Sequence, residues 1–170
     1  MNNIKGRGVM SKKNKRLPYL KFAEDYDDPY RSEYPNYSYC TECGIAYIDK
    51  NWKLDVDDSL NKNPIVCPAC RKIKDNYFEG ILYISGNFYK SHKDEIINLI
   101  KNEEHRQRLR TALPRIGKIE ENEDGMIVYT TNDKLAYRLG KALFKAYKGD
   151  LSIKWSDNNI FTRVYWERDE

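Results

Sequence analysis

The apolar positions of this chain change their rhythm twice, and the changes divide it into three stretches, 1–35, 36–80 and 81–168. Residues 1–22 have no apolar period. They are polar, with Gly6, Gly8 and Pro18, which predicts a disordered arm. Residues 23–35 turn acidic and aromatic, with Glu24, Asp25, Asp27 and Asp28 among Tyr26, Tyr30 and Tyr34. They read either as an extended linker or as a segment folding back on the arm. Residues 36–80 hold two short cysteine motifs. Between these, Leu54 and Val56 alternate after Trp52, a pattern for a short strand or hairpin.

From residue 81 onward the pattern is that of a packed α+β domain. Ile81-Leu82-Tyr83-Ile84 predicts a strand, and Ser85-Gly86-Asn87 a turn. Residues 88–110 predict one helix with an apolar stripe of Ile96, Ile97, Leu99 and Ile100, and Ser91 with Asp94 reads as a capping box. Pro114 stops any continuation. Residues 115–121 and 126–131 flank Glu123-Asp124-Gly125 as a hairpin. Residues 132–148 predict a second helix. Leu135, Leu139, Ala142, Leu143 and Ala146 lie on one side, Thr130 to Asp133 cap its start, and Gly149 ends it. Two last strands, 151–155 and 160–166, surround Asp157-Asn158-Asn159. The order β-α-β-β-α-β-β over 81–168 predicts a ferredoxin-like split β-α-β sandwich with one extra strand. Trp52, Trp155 and Trp166 read as core or rim anchors.

Composition sharpens this picture in two ways. No run approaches the roughly 18 apolar residues that span a bilayer, and no apolar segment follows the N-terminal cations as in a secretory signal. The expectation is a cytoplasmic protein without a membrane partner, in a compartment where thiols stay reduced. The net charge of +4 is also unevenly spread. Residues 1–21 carry seven cations and no acid, among them Lys12, Lys13, Lys15 and Arg16, so the rest of the chain sums to −3. A cationic tail thus precedes a slightly acidic body.

All four cysteines sit in matched pairs, Cys40-Thr-Glu-Cys43-Gly and Cys67-Pro-Ala-Cys70-Arg, with 23 residues between them. Two residues between ligands let one turn present two sulfurs to the same ion, and two such turns complete a tetrahedron. The pattern predicts one structural Zn2+ on Cys40, Cys43, Cys67 and Cys70 in a zinc ribbon over 36–80. Four thiolates close such a site, leaving no position for a catalytic water. A thioredoxin-like reading of Cys-Pro-Ala-Cys would leave the other pair unexplained.

The second predicted helix carries Lys134, Arg138, Lys141, Lys145 and Lys148 at spacings of 4, 3, 4 and 3. On a helix this is one cationic stripe, suited either to solvent or to a phosphate backbone. Tyr137 lies beside it as a stacking candidate. His92 and His105 form no constellation, and no phosphate loop, nucleophile elbow or His-Glu-x-x-His motif occurs. No catalytic residue or small-molecule substrate is predicted.

Over about 36–168 the chain resembles a family of uncharacterised bacterial zinc-ribbon proteins. The residues that carry the resemblance begin with the two cysteine motifs, Asp75, Tyr77, Gly80 and Ser85-Gly86-Asn87-Phe88. They continue with His92-x-Asp94-Glu95-Ile96, Asn102-Glu103-Glu104 and Thr130-Thr131. Leu135-Ala136-x-Arg138-Leu139-Gly140 and Arg163-Val164-x-Trp166 complete the set. More distantly, two Cys-x-x-Cys pairs before a small α/β domain resemble the adaptor family for export of the large ribosomal subunit and its archaeal relatives. That family carries more such pairs; the resemblance implies ribosome binding. Together with the stripe and the arm, it leads to the expectation of a non-catalytic RNA- or ribosome-associated protein. The alternatives are a protein–protein adaptor built on the ribbon and the Tyr-rich segment and, further off, a thiol oxidoreductase.

Overall fold

The structure, a computed structural model, describes residues 21–22, 30, 32–156 and 161–170. The cations at Lys12, Lys13, Lys15 and Arg16 and the turn at Asp157-Asn158-Asn159 lie outside these residues. The described chain is a mixed α+β structure.

Strand β1 (Lys21–Phe22) pairs in parallel with β6 (Tyr77–Phe78). The cysteine module is a four-stranded sheet in the order β4-β3-β2-β5, formed by β2 (Ser38–Cys40), β3 (Ala46–Ile48), β4 (Asn51–Lys53) and β5 (Asn63–Ile65). The short helix α1 (Pro68–Lys74) follows. Tyr34, Tyr47 and Trp52 form an aromatic cluster there, with ring centroids 5.1–5.7 Å apart. Tyr30 is buried against Tyr77 and donates a 2.7 Å hydrogen bond to Asp75. Tyr30 thus docks onto the end of α1; the acids Glu24, Asp25, Asp27 and Asp28 lie outside the described residues.

The larger sheet has five strands: β7 (Gly80–Ser85), β8 (Ile116–Asn122), β9 (Gly125–Thr130), β10 (Asp150–Trp155) and β11 (Thr162–Glu167). Their order is β10-β11-β7-β9-β8. Alternation sends Leu82, Ile84, Met126, Val128, Leu151, Val164 and Trp166 to one face. There they meet Ile96 and Ile100 of α3 (Lys93–Arg108) and Leu135, Leu139 and Leu143 of α4 (Asp133–Tyr147). This is the burial solution expected of two amphipathic helices on one sheet.

Two local readings are corrected. Residues 88–110 are not one helix but α2 (Asn87–Ser91) and α3, with a break at His92. The His92 ring stacks on Phe88 at 3.9 Å and places Nδ1 3.0 Å from the Phe88 carbonyl oxygen. The capping box does not form either. His92, not Ser91, is the N-cap of α3, and no side chain caps it. Elsewhere the end signals hold: Asn132 accepts a hydrogen bond from the Leu135 N–H at the start of α4, and Gly149 takes φ +85° after it.

The extra strand is inserted, not appended. In a split β-α-β sandwich the strand after the second helix lies beside the first strand. Here β11 takes that place, parallel to β7, and displaces β10 to the edge. Burial explains the choice. Thr162, Val164 and Trp166 of β11 are fully buried, whereas β10 exposes Asp150, Lys154 and Trp155 and tolerates an edge.

Helix α4 lies close on β11 because residue 140 has no side chain. A Cβ built there would fall 2.4 Å from Val164 Cγ1. Gly140→Ala therefore sets a helix-propensity gain of about 1 kcal/mol against an overpacking cost of about 1–3 kcal/mol. We expect net destabilisation, read as a lower midpoint in chemical denaturation. A stabilised variant would show that α4 has room to lift off the sheet.

Candidate metal centre

Two tight turns bring the cysteines together. After Cys40 on β2, the chain reverses through Thr41 and Glu42 to Cys43, and the Gly44 N–H donates to the Cys40 carbonyl at 2.9 Å. Gly44 takes φ +80°, where an added Cβ would meet nothing within 4 Å. Glycine is needed there for the backbone, not for space. The second pair opens α1. Cys67 is its N-cap, Pro68 fills the first turn, and the Cys70 N–H points at Cys67 Sγ over 3.4 Å. The Cys67 N–H points at Cys40 Sγ over 3.3 Å, tying one pair to the other.

All four sulfurs lie within 4.8 Å of one another, and none is in a disulfide. Cys43 Sγ and Cys67 Sγ are 3.7 Å apart. A zinc tetrahedron with Zn–S bonds of about 2.3 Å has sulfur–sulfur edges of about 3.8 Å, whereas a disulfide needs about 2.05 Å. The donor set and the spacing fit one structural zinc ion, held by Cys40, Cys43, Cys67 and Cys70. When bound, zinc supplies the cross-link between the two turns.

A fifth residue completes the centre, and sequence reading missed it. Arg115 lies between α3 and β8, 45 positions beyond Cys70, yet its guanidinium is buried against the sulfurs. Nη1 donates to Cys70 Sγ at 3.4 Å; Nη2 donates to Cys43 Sγ at 3.3 Å and lies 3.9 Å from Cys67 Sγ. Nε is buried with no partner. A buried guanidinium costs several kcal/mol unless an anion faces it, and the groups that face this one are the cysteine sulfurs. Four thiolates and one divalent ion leave a charge of about −2, which Arg115 half-neutralises.

Arg115 is also a joint. Its N–H donates to Thr131 Oγ1 at 3.2 Å, and its carbonyl accepts from the Thr131 N–H at 3.0 Å. Thr131 stands just before Asn132, the N-cap of α4. Ala112 packs in the cysteine core and donates its N–H to the Trp52 carbonyl at 3.3 Å. Lys72 of α1 pairs with Glu79 at 2.7 Å and reaches the Thr131 carbonyl at 3.4 Å. No sequence motif marks Arg115; the one local clue is its place after Pro114, where a helix must end.

The sulfurs do not share one proton affinity. The hydrogen bond with Cys67, the Ile45 backbone donor and Arg115 bring the Cys43 thiol down to about 4, against the effect of burial. The same contact with Cys43, together with burial, pushes Cys67 up. Burial pushes Cys70 up to about 11. Zinc must therefore displace protons from Cys67 and Cys70.

The other predicted contacts lie elsewhere. Lys134, Lys141 and Lys145 are exposed on α4 and Arg138 is half-buried; Lys148, expected in the same helical row, is instead the exposed C-cap, where φ +58° takes the chain out of the helix. Their stripe faces away from Leu135, Leu139 and Leu143. Among the described residues none of the five cations forms an ion pair. Tyr137 is half-buried on the flank of α4 that faces β10. Of the tryptophans, Trp166 and Trp52 are core, but Trp155 is 53% exposed. His105 is exposed in the last turn of α3. Among the described residues no helix is long and apolar enough to cross a membrane.

Zinc affinity should rise with pH, because Cys67 and Cys70 must lose protons on binding. It should collapse on acidification, and below about pH 4 Cys43 protonates too and Arg115 faces no anion. Competition with a chromogenic chelator across pH measures this; a flat profile would contradict proton release from these thiols. In the same assay at neutral pH, Arg115→Met should weaken zinc by about 10- to 100-fold, the usual cost of losing an outer partner of a metal ligand. Unchanged affinity would reduce Arg115 to a packing residue. Compared with protein-family models, with curated proteins and with solved structures, the chain matches none.

Proposed function

We propose that this chain is a zinc-stabilised, non-catalytic binding protein that associates with RNA, as free RNA or within a ribosomal subunit. In this reading it is a zinc ribbon mounted on a split β-α-β sandwich and works in the cytoplasm. The observation that carries the proposal is the cationic face of α4. Lys134, Arg138, Lys141 and Lys145 span an arc of about 60° at 3.6 residues per turn, and Lys148 follows as the C-cap of α4. That arc lies opposite the buried Leu139 and Leu143, so packing of the core commits the cations to solvent. No described acid neutralises them by an ion pair. A phosphate chain presents charges at intervals that such a row can follow. The body is slightly acidic as a whole, but screening confines long-range repulsion to about 8 Å at physiological salt, so the local stripe decides. The N-terminal cations Lys12, Lys13, Lys15 and Arg16 would add salt-sensitive attraction.

The test is sedimentation of the full-length protein in lysate gradients, with and without nuclease. We expect migration with a ribosomal or RNA-containing particle, lost on nuclease treatment. With purified single-stranded RNA, five phosphate contacts predict a slope of log affinity against log salt of about −3.5. Replacing Lys134, Arg138, Lys141 and Lys145 by Glu should abolish binding while zinc content stays unchanged. A partner that survives nuclease and high salt would overturn this reading in favour of a protein adaptor.

A further inference from the structure

Beside the cationic stripe lies a feature that the proposed function does not use. The end of β10 carries Trp155, 53% exposed. Its ring stands 6.1 Å from that of Tyr137 on α4, at an interplanar angle of 36°. Together with Asp133 and Lys134 the two rings line an open cleft of about 280 Å³. Leu60 and Leu109 are the other exposed large apolar side chains described, and neither lines this cleft. An exposed tryptophan that walls a cleft with a second aromatic ring calls for a ligand with a flat face.

The charges around the cleft select the ligand. Lys134 lines it. Lys141 lies four residues beyond Tyr137, so the aromatic ring sits between two cations one helical turn apart on either side. Against the one acid of the lining, Asp133, stand Lys134 and, a turn beyond Tyr137, Lys141, so the balance disfavours a cationic ligand, and a neutral sugar would make no use of the flanking cations. A nucleotide uses both: its base has a π face for Trp155 and its phosphates have the lysines.

We propose that the Tyr137–Trp155 cleft holds one unpaired base of a single-stranded RNA whose flanking phosphates lie on Lys134 and Lys141. This deepens the RNA reading and rests on it. At 6.1 Å the two rings already touch, so the base does not slide between them. It stacks on the open face of Trp155, with Tyr137 as the side wall. The volume is slightly below the roughly 300 Å³ of a typical small-molecule pocket, which suits one planar ring system. Asp133 at the rim offers an acceptor to a base that carries an amino group.

Fluorescence anisotropy of the zinc-loaded full chain tests this with two probes. One is a short, labelled, mixed-sequence single-stranded RNA; the other has the same sugar–phosphate backbone without bases. Trp155→Ala should weaken binding of the intact RNA by about 5- to 150-fold, the usual range for one stacked base. It should leave the baseless strand unaffected and the salt slope unchanged. Trp155→Phe should restore most of the loss. Trp155 packs at an exposed edge, and zinc content and circular dichroism check that each variant folds. Equal binding of wild type and Trp155→Ala to intact RNA would overturn the base site and leave the stripe standing. So would an equal loss on both probes. If the wild type binds neither probe at low salt, the RNA reading itself fails, and the site with it.

Discussion

Much of this molecule hangs on one electrostatic match, that between the buried guanidinium of Arg115 and the sulfurs of Cys43, Cys67 and Cys70. Neither side is stable in its place alone. A tetrathiolate around one divalent ion carries surplus negative charge, and a guanidinium removed from water needs an anion. Each answers the other's need, and they come from different parts of the chain. The cysteine module supplies the charge, and the segment entering β8 supplies the countercharge. The same Arg115 backbone is hydrogen-bonded on both sides to Thr131, so the centre is fastened to the residue before the N-cap of α4. The metal thereby reaches beyond its own turns and helps to fix where the helix carrying the cations begins.

What α4 presents to solvent is in turn dictated by what it hides. Gly140 lets the helix approach Val164, and Leu135, Leu139 and Leu143 fill the sheet face below. At its far end the buried Trp166 donates its indole N–H to the Lys148 carbonyl at 2.7 Å, satisfying one of the helix's last acceptors. The helix cannot roll without opening the core, so its outer arc and its aromatic flank keep a fixed relation to β10.

The parts legible in the sequence were those set by local spacing. Two Cys-x-x-Cys turns, the alternation of β7 and β9 and the 3.6-residue rhythm of α4 each announce themselves within a few residues. The illegible parts depend on partners far away along the chain. Arg115 is an ordinary cation until the fold brings it to sulfurs 45 to 72 positions distant. Alternating strands do not say in which order they will lie, so the insertion of β11 was invisible although both strands were foreseen. The break at His92 is local, but it turns on a ring stacking onto Phe88, for which helical periodicity has no term. Trp155 has the alternation of a core residue and lies at the end of an edge strand, where α4 covers only part of its ring.

The placement of β11 also has a consequence for how the chain reaches this state. Strands β7, β8 and β9 can pair as soon as they exist, but β7 keeps a bare edge until β11 arrives, more than 75 positions later in the chain. Until then the backbone donors and acceptors of the innermost strand, and the hydrophobic floor beneath α4, stand open to any other extended segment. Until β11 is made, the sheet is therefore limited to β7, β9 and β8 with an open edge on β7, and β11 closes that edge while giving β10 its partner. This interval exposes the chain to mispairing and gives a chaperone something to hold.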